Sequence, residues 1–192
     1  MELTDARLAI MAREGDRGAF AQLVELYKGK LFQLAYRMLG NRQEAEDVVQ
    51  ETFMRMYEHL ERYNPSLKFS TWIYRIASNL CIDRLRRRRR SAFSLDAETV
   101  EGEGLDGYSL LKSDEPDAEQ RMIISERRQA ILRAMDSLPP KYKTAMALKY
   151  YHDMSLQEIS DILNIPVATV KTRIHRGREF LRRKLEKDKP FL

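Results

Sequence analysis

The chain has 192 residues, a length that allows one medium domain or two small ones. Its 34 Lys and Arg residues outnumber its 29 Asp and Glu residues, and a pI near 9.3 favours an anionic partner without naming it. Its one cysteine, Cys81, excludes an internal disulfide framework, and the sequence contains neither an apolar signal core nor an apolar run of membrane-spanning length. We therefore expect a cytoplasmic protein with no metal, no cofactor and no direct membrane insertion.

The first part of the chain is predicted to be helical throughout. Apolar residues recur at helical spacing over residues 20–39 and again over residues 45–60. Ser70 and Thr71 are suitable caps for a third helix that runs to about Arg88. No stretch alternates apolar and polar residues as a half-buried strand would, so the sequence predicts an all-α fold.

Charge divides the chain into three parts. Residues 1–90 contain 17 basic and 12 acidic residues, residues 91–120 contain one and nine, and residues 121–192 contain 16 and 8. The acidic stretch has several glycines and few large apolar residues, so it cannot bury enough surface to offset the entropy of ordering. We expect a flexible linker between two basic domains, although a solvated loop inside one domain would have the same composition.

The last part of the chain is also predicted to be helical. One helix is expected over residues 119–135, and a pair of prolines separates it from the next, at about residues 141–151. Ser155, with Glu158 three residues later, forms the capping-box pattern that starts a short helix. Asn164 lies where the following turn needs left-handed backbone geometry.

Residues 164–179, with the sequence NIPVATVKTRIHRGRE, resemble the second half of a helix-turn-helix. Pro166 suits an early helical position. The residues expected on the buried face are Val170, Ile174, Leu181 and Leu185. The other faces carry basic and hydroxyl side chains, which can contact guanine edges and phosphates in a major groove. An ordinary amphipathic surface helix is the alternative interpretation.

A second candidate site combines flat aromatic side chains with cations. Its residues are Lys68, Phe69, Trp72, Tyr74, Arg75, Asn79, Arg84 and the run Arg86–Arg90. Proteins hold unpaired strands on such stacking platforms inside a positive channel, and each stacked base contributes about 1–3 kcal/mol. The three aromatic residues can equally be core residues, and the arginine run can be a solvated patch that contacts phosphates.

The segment 44–51, EAEDVVQE, places carboxylates on one side of an amphipathic helix. No nucleophile, glycine-rich phosphate loop or metal cluster accompanies these carboxylates in the sequence, so no enzyme activity is predicted. We interpret the segment as a protein-binding face, and a plain solvated face is the alternative.

These segments together resemble the extracytoplasmic-function (ECF) sigma factors of bacterial RNA polymerase, and in particular the sigma-W subgroup. The matching stretches are AEDVVQETF at 45–53, FSTWIYRIASN at 69–79, LPPKY at 138–142, SLQEIS at 155–160 and PVATVKTRIHRGR at 166–178. They occur in the family's order and cover nearly everything outside the acidic stretch. Ala168 stands where many relatives carry glycine, a change that a helix tolerates.

The resemblance implies two helical domains. Sigma region 2 would occupy residues 1–90, the acidic linker residues 91–116, and sigma region 4, with its helix-turn-helix, residues 117–192. Region 2 would dock on the clamp helices of the polymerase beta-prime subunit. The positions that match the family's docking motif are Asp47, Gln50, Glu51, Met54 and Arg55.

The resemblance also implies contacts with promoter DNA, both duplex and melted. Region 2 would melt the promoter and capture a flipped base of the minus-ten element, with Asn79 at the specificity position. The surrounding residues would be Lys68, Phe69, Trp72, Tyr74, Arg75 and Arg84. Region 4 would lie near the beta flap and read the minus-thirty-five element. Its reading residues would be Lys149, Thr169, Lys171, Thr172, Arg173, His175, Arg176 and Arg178.

A sigma factor of this kind binds core RNA polymerase and directs promoter-specific initiation, here in an expected envelope-stress regulon. A membrane-anchored anti-sigma factor would hold it at the inner face of the membrane until it moves to the nucleoid, and no obligate homo-oligomer is expected. The residues leave two alternatives open: a stand-alone helix-turn-helix regulator, and a polymerase-docking adaptor that reads no promoter. The aromatic strip at residues 69–74 favours the sigma interpretation, because a duplex-only regulator has no use for it.

Overall fold

The computed structural model describes residues 4–94 and 129–187, and every regular element in those two ranges is helical. The first range contains α1 (Asp5–Arg13), α2 (Arg17–Leu39), α3 (Arg42–His59), a short 3-10 turn (Leu60–Arg62) and α4 (Phe69–Ser94). In the second range residues 129–136 are helical, and α5 (Pro140–Tyr150), α6 (Leu156–Leu163) and α7 (Val167–Lys187) follow. The all-α fold class is therefore confirmed.

Helix α4 is longer at both ends than the sequence suggested. It begins at Phe69, so the two residues expected to cap it, Ser70 and Thr71, lie in its first turn. It continues to Ser94, so the expected linker of residues 91–116 begins inside a helix. The rest of that linker, and the first ten residues of the helix expected over 119–135, lie outside the described residues.

Two helices of the first half, α2 and α3, begin at side chains that accept hydrogen bonds from the backbone of their first turn. Before α2, Oδ1 of Asp16 accepts two backbone N–H groups of the first turn, at 2.8 and 3.0 Å. Before α3, Oδ1 of Asn41 accepts the Glu44 N–H at 2.9 Å. Helix α2 ends at Gly40, whose φ of 67° is left-handed backbone that glycine adopts without a Cβ clash. Gly40 and Asn41 together form the short connection that folds α3 back on α2.

Helix α2 lies at the centre of the first half and packs against α1, α3 and α4. Its buried stripe comprises Ala19, Leu23, Tyr27, Leu31, Leu34, Ala35, Met38 and Leu39. Burying one leucine side chain contributes about 1.5–3 kcal/mol, so this stripe is the main force that places α3 and α4. The hydroxyl of Tyr27 donates to Oδ2 of Asp5 at 2.6 Å, which joins α1 to the same core.

The helix-turn-helix of the second half has the predicted local geometry. Ser155 and Glu158 form the expected capping box, in which Oε2 of Glu158 accepts the Ser155 N–H at 3.0 Å. Asn164 ends α6 with φ 50° and ψ 52°, the left-handed geometry expected of it. Pro166 immediately precedes α7 and its carbonyl accepts the first-turn N–H groups, so it lies at the cap instead of inside the helix.

The two halves pack against each other, a feature that the sequence did not predict. Helix α6 contacts α4, and α5 contacts both α2 and α4. Buried residues of both halves belong to one hydrophobic cluster. We call this packing of α5 and α6 on α2 and α4 the closed arrangement. Among the described helices, none combines the length and the apolarity that crossing a bilayer requires.

Candidate nucleic-acid interface

Four residues predicted to contact the minus-ten element lie together at the start of α4. We call Lys68, Trp72, Arg75 and Asn79 the α4 strip. Trp72, Arg75 and Asn79 are three and four residues apart, so they share one face of the helix. Lys68 and Asn79 are exposed, whereas Trp72 and Arg75 are half-buried. The strip therefore places a ring, an amide and two cations on one edge of the molecule.

Phe69 and Tyr74, which were also expected to contact bases, are buried. Phe69 has no exposed surface and Tyr74 is 4% exposed. The Phe69 ring lies edge-on to Tyr27 and Tyr63, with centroids 5.5 and 5.4 Å away, and 5.8 Å from the Trp72 ring. In this structure both are core residues instead of open stacking platforms, and Phe69 supports the indole of Trp72.

Both cations of the α4 strip are engaged by α6. The Nζ atom of Lys68 lies 2.8 Å from Oε1 of Glu158. Across the same interface, Nη2 of Arg75 donates a hydrogen bond to the backbone carbonyl of Asp161. The hydrogen bonds from Lys68 and Ser155 lower the pKa of Glu158 from about 4.5 to about 2, so this carboxylate is ionised at neutral pH. The charges expected to meet DNA thus meet protein oxygens in the closed arrangement.

A third polar contact joins the halves at Tyr74 and His152. The Tyr74 hydroxyl lies 3.1 Å from Nδ1 of His152, and the ring centroids are 5.2 Å apart. Burial lowers the pKa of His152 from 6.5 to about 4 and raises the pKa of Tyr74 from 10 to about 12. At neutral pH the imidazole is therefore uncharged and the phenol is protonated. This pair extends the interface from the exposed Lys68–Glu158 contact into the partly buried region.

Arg84, another residue expected to contact DNA, points toward α3. Its guanidinium lies 3.6 Å from Asp47 and 3.5 Å from Glu51, and it donates to the carbonyl of Glu44 at 3.0 Å. Arg88 makes a similar contact, with Nη2 2.6 Å from the carboxylate of Glu44. In this structure both arginines tie α4 to α3, and their charges are directed toward protein carboxylates.

The expected polymerase-docking positions form one face of α3. They are Asp47, Gln50, Glu51, Met54 and Arg55, at spacings of three and four residues. Tyr57 was not predicted as part of this face, although it follows Met54 by three residues and is 72% exposed. Its ring lies edge-on to Phe20, with centroids 5.4 Å apart. An exposed methionine and tyrosine thus add apolar surface to a largely charged face, and their helical spacing was the available signal.

Helix α7 has the predicted buried back and basic front. Val170 and Ile174 are buried, and Leu181 and Leu185 are half-buried. On the front Lys171, Thr172, His175, Arg176 and Arg178 are exposed, and Thr169 and Arg173 are half-buried. Lys149, the remaining residue expected at the minus-thirty-five element, is half-buried on α5 and its Nζ lies 3.3 Å from the Met154 carbonyl. The front of α7 is thus a continuous surface of hydrogen-bond donors and positive charge.

Two buried residues of the second half were not predicted. Gly177 is buried where α7 meets α5, and a Cβ there would lie 2.9 Å from Cγ of Met146. Lys143 of α5 has a side chain only 4% exposed, and its Nζ lies 2.7 Å from Asp136. A glycine inside a helix pattern does signal close packing, but nothing in the local sequence distinguishes Lys143 from a surface lysine.

Comparison with known proteins identifies two family regions. Residues 23–91 match sigma-70 region 2, and residues 128–181 match sigma-70 region 4. Over 185 residues the chain is 48% identical to the ECF RNA polymerase sigma factor SigW of Bacillus subtilis (strain 168), covering 96% of this chain and 98% of that one.

The fold is similar to solved structures of two further proteins. CnrH, in complex with the cytosolic domain of CnrY, has a TM-score of 0.69 and 25% identity, covering 96% of this chain and 98% of that one. The sigma factor RpoE, in complex with the anti-sigma factor NepR from Bartonella quintana, has a TM-score of 0.64 and 21% identity, covering 88% and 98%. With both regions matched in order, and with 48% identity to SigW along nearly the whole chain, the chain belongs to the ECF sigma factors of bacterial RNA polymerase.

Proposed function

We propose that this sigma factor binds core RNA polymerase through α3 and reads two promoter elements with two separate surfaces, the α4 strip and the front of α7. The observation that carries the proposal is the grouping of Lys68, Trp72, Arg75 and Asn79 on one edge, on a different helix from the basic front of α7. A protein that reads only duplex DNA needs the basic front of α7 and has no use for the α4 strip. Synthesis of RNA belongs to the core enzyme.

The front of α7 is suited to the major groove of the minus-thirty-five element. Exposed Lys171 and Arg176 can pair with guanine edges or phosphates, and Thr172 can accept or donate at either. The Thr172 hydroxyl donates to the Ala168 carbonyl at 2.9 Å, so it needs to rotate to meet a base. Cationic contacts with phosphates supply affinity that falls with salt, and base-edge contacts supply the choice of sequence.

The α4 strip is suited to one extruded base of the minus-ten element. Extruding a base costs a few kcal/mol, so a pocket that captures it favours melting at the right sequence. Asn79 presents an exposed amide that can donate and accept on a base edge. Trp72 is held against Tyr63 and Phe69, with centroids 5.4 and 5.8 Å away, so its ring is already ordered before a base stacks on it.

The α3 face is the proposed contact with the beta-prime clamp helices. Asp47 and Glu51 supply carboxylates, Gln50 supplies an amide, and Met54 supplies exposed apolar surface. Tyr57 enlarges that apolar surface, and tyrosine is enriched at the energetically dominant positions of interfaces. Contact of region 4 with the beta flap is the second proposed site on the polymerase.

We also propose that an anti-sigma factor anchored in the membrane regulates this chain in an envelope-stress regulon. The CnrH structure, which covers 96% of this chain, contains the cytosolic domain of a second protein, CnrY, and this supports a protein partner of the same kind here. The sigma factor itself would act in the cytoplasm, at the nucleoid when released and at the inner face of the membrane when held.

Reconstituted transcription with purified core polymerase and a library of promoter templates tests the central proposal. We expect initiation from a subset of templates that share two elements, and no initiation from core alone. A gel shift with and without core separates the alternatives. A stand-alone regulator binds duplex DNA tightly without core, and a docking adaptor binds core without selecting any template.

A further inference from the structure

We propose that the closed arrangement is an autoinhibited state of the free chain, in which α6 and His152 occupy the part of α4 that contacts melted DNA. The inference rests on the proposed function of the α4 strip. Closing needs no second protein, because all the contacts lie within this chain. Core polymerase or DNA would then bind only the fraction of molecules that is open.

Three polar contacts of the second half fall on the strip and its neighbour. The carboxylate of Glu158 lies at Lys68 and the carbonyl of Asp161 accepts from Arg75, as phosphate oxygens would on a bound strand. His152 holds the hydroxyl of Tyr74, one residue before Arg75. Of the cations proposed for the minus-ten element, the two on the strip are paired with the second half. A strand that bound there would have to displace α6.

The strength of these contacts suits a reversible closure. Lys68 and Glu158 have side chains that are 69% and 32% exposed, and exposed ion pairs are individually weak and screened by salt. The carboxylate also caps α6 through Ser155, and its two oxygens divide these tasks: Oε1 faces Lys68 and Oε2 faces Ser155. The helix start therefore stays capped when the halves separate, and opening does not require α6 to unfold.

Substitutions on the second half can test autoinhibition without changing any residue proposed to contact DNA. Glu158→Gln removes the charge at Lys68 but keeps a side chain that completes a capping box. His152→Ala removes the partner of Tyr74. The matched control is Glu186→Gln, which makes the same change of charge on α7, where Glu186 pairs only with Arg182 at 3.9 Å among the contacts of the described residues.

The experiment uses the full chain without polymerase and measures two quantities. Opening is followed by energy transfer between dyes on Glu58→Cys and Lys184→Cys, two exposed positions on α3 and α7, while the fully buried Cys81 is spared by the dyes. Binding is followed by the fluorescence anisotropy of a short single-stranded DNA of mixed sequence. For the double variant E158Q/H152A we expect lower energy transfer and about tenfold tighter DNA binding, the combined effect of losing an ion pair and a hydrogen bond.

For Glu158→Gln alone we expect a smaller change in the same direction, and for Glu186→Gln none. Circular dichroism shows whether each variant keeps its helices. If the double variant loses its helices, the same two measurements on Glu158→Gln alone test the inference. Unchanged energy transfer, or opening without tighter DNA binding, overturns the inference. Initiation by the wild-type chain with core polymerase is measured in parallel, and its absence counts against the proposed function and not against closure.

Discussion

The guanidinium of Arg84 on α4 lies 3.6 Å from the carboxylate of Asp47 on α3. It thus joins the helix proposed to hold melted DNA to the helix proposed to hold the polymerase. Only 23% of the Arg84 side chain is exposed, and its other contacts are Glu51 and the Glu44 carbonyl. Arg84, together with Arg88, therefore helps to fix the relative position of these two helices.

Arg84→Ala should destabilise the fold by about 1–2 kcal/mol, because a half-buried hydrogen bond and two ion-pair contacts are lost together. Chemical denaturation of the purified variants measures this. The matched control is Arg87→Ala, since Arg87 is exposed on the same helix and should change stability by less than about 0.5 kcal/mol. Equal midpoints for the two variants would show that Arg84 does not hold α3.

Asp136→Asn should destabilise the second half more than Lys143→Met does. The Lys143 side chain is 4% exposed and its Nζ lies 2.7 Å from Asp136, so losing the carboxylate leaves a buried ammonium without its counter-ion. We expect a loss of about 1–3 kcal/mol for Asp136→Asn and less for Lys143→Met, which replaces the charge with apolar volume. Thermal unfolding of both variants measures which one is less stable. A lower stability of Lys143→Met than of Asp136→Asn would contradict the role of Asp136 as the counter-ion of Lys143.

Acidification should open the closed arrangement through His152. Burial depresses the pKa of this group from 6.5 to about 4, with Lys30 lowering it further and Asp153 opposing. A separated form that exposes the imidazole binds a proton near pH 6.5, whereas the closed form resists protonation down to about pH 4. The contribution of the neutral His152 to the stability of the closed arrangement is therefore complete above about pH 6.5 and is lost as the pH falls toward 4.

Energy transfer between the dyes on Glu58→Cys and Lys184→Cys measures this opening directly. We expect the transfer to drop between about pH 7 and about pH 5. His152→Gln, which cannot titrate, should remove most of the drop. The carboxylate of Glu158 stays ionised in this range because its pKa is lowered to about 2. A drop of the same size in His152→Gln would assign the effect to another group.

Gly177→Ala should lower stability, although alanine is the better helix former. The added Cβ would lie 2.9 Å from Cγ and 3.1 Å from Sδ of Met146, and overpacking of this kind costs about 1–3 kcal/mol against a gain of about 1 kcal/mol in helix propensity. Gly29→Ala is the control, because Gly29 is exposed on α2 and its added Cβ meets nothing within 4 Å. That variant should be more stable by about 0.5–1 kcal/mol, and a gain of similar size at Gly177 would refute the close contact.

Asn79→Ala and Lys171→Ala should impair different steps of initiation. We expect Asn79→Ala to weaken promoter opening more than duplex binding, because its amide is proposed to read an unpaired base. Lys171→Ala should lose discrimination at the upstream element and leave opening of a pre-melted template intact. Permanganate footprints report opening and competition gel shifts report discrimination. If either variant lost promoter opening and upstream discrimination equally, its residue could not be assigned to one promoter element.

Features set by neighbours in the chain could be predicted from the sequence. The capping box of Ser155 and Glu158, the left-handed Asn164 and the buried back of α7 follow from rules that act over a few residues, and all three are present. The grouping of Trp72, Arg75 and Asn79 on one face follows from helical spacing in the same way. These features were sufficient to predict where the basic front of α7 and the α4 strip would lie, but not that Phe69 and Tyr74 are buried.

Features set by distant residues could not be predicted. Phe69 is buried by Tyr27 and Tyr63, and Arg84 is turned away from DNA by carboxylates more than thirty residues earlier. The contact of Lys68 with Glu158 spans 90 positions. The local sequence pattern is the same for an exposed and a buried phenylalanine. Only the packed structure therefore shows whether the ring is free to stack on a base or lies beneath another ring.

The length of α4 has a consequence for the inhibited molecule. Its 26 residues span about 39 Å, and Arg86–Arg90, all exposed, begin three turns beyond Arg75. In the closed arrangement the second half covers the end of α4 that is proposed to read DNA, whereas Arg86, Arg87, Arg89 and Arg90 at the other end stay exposed. The closed protein should therefore still bind chromosomal duplexes through nonspecific charge attraction, and it should still be retained on heparin at low salt.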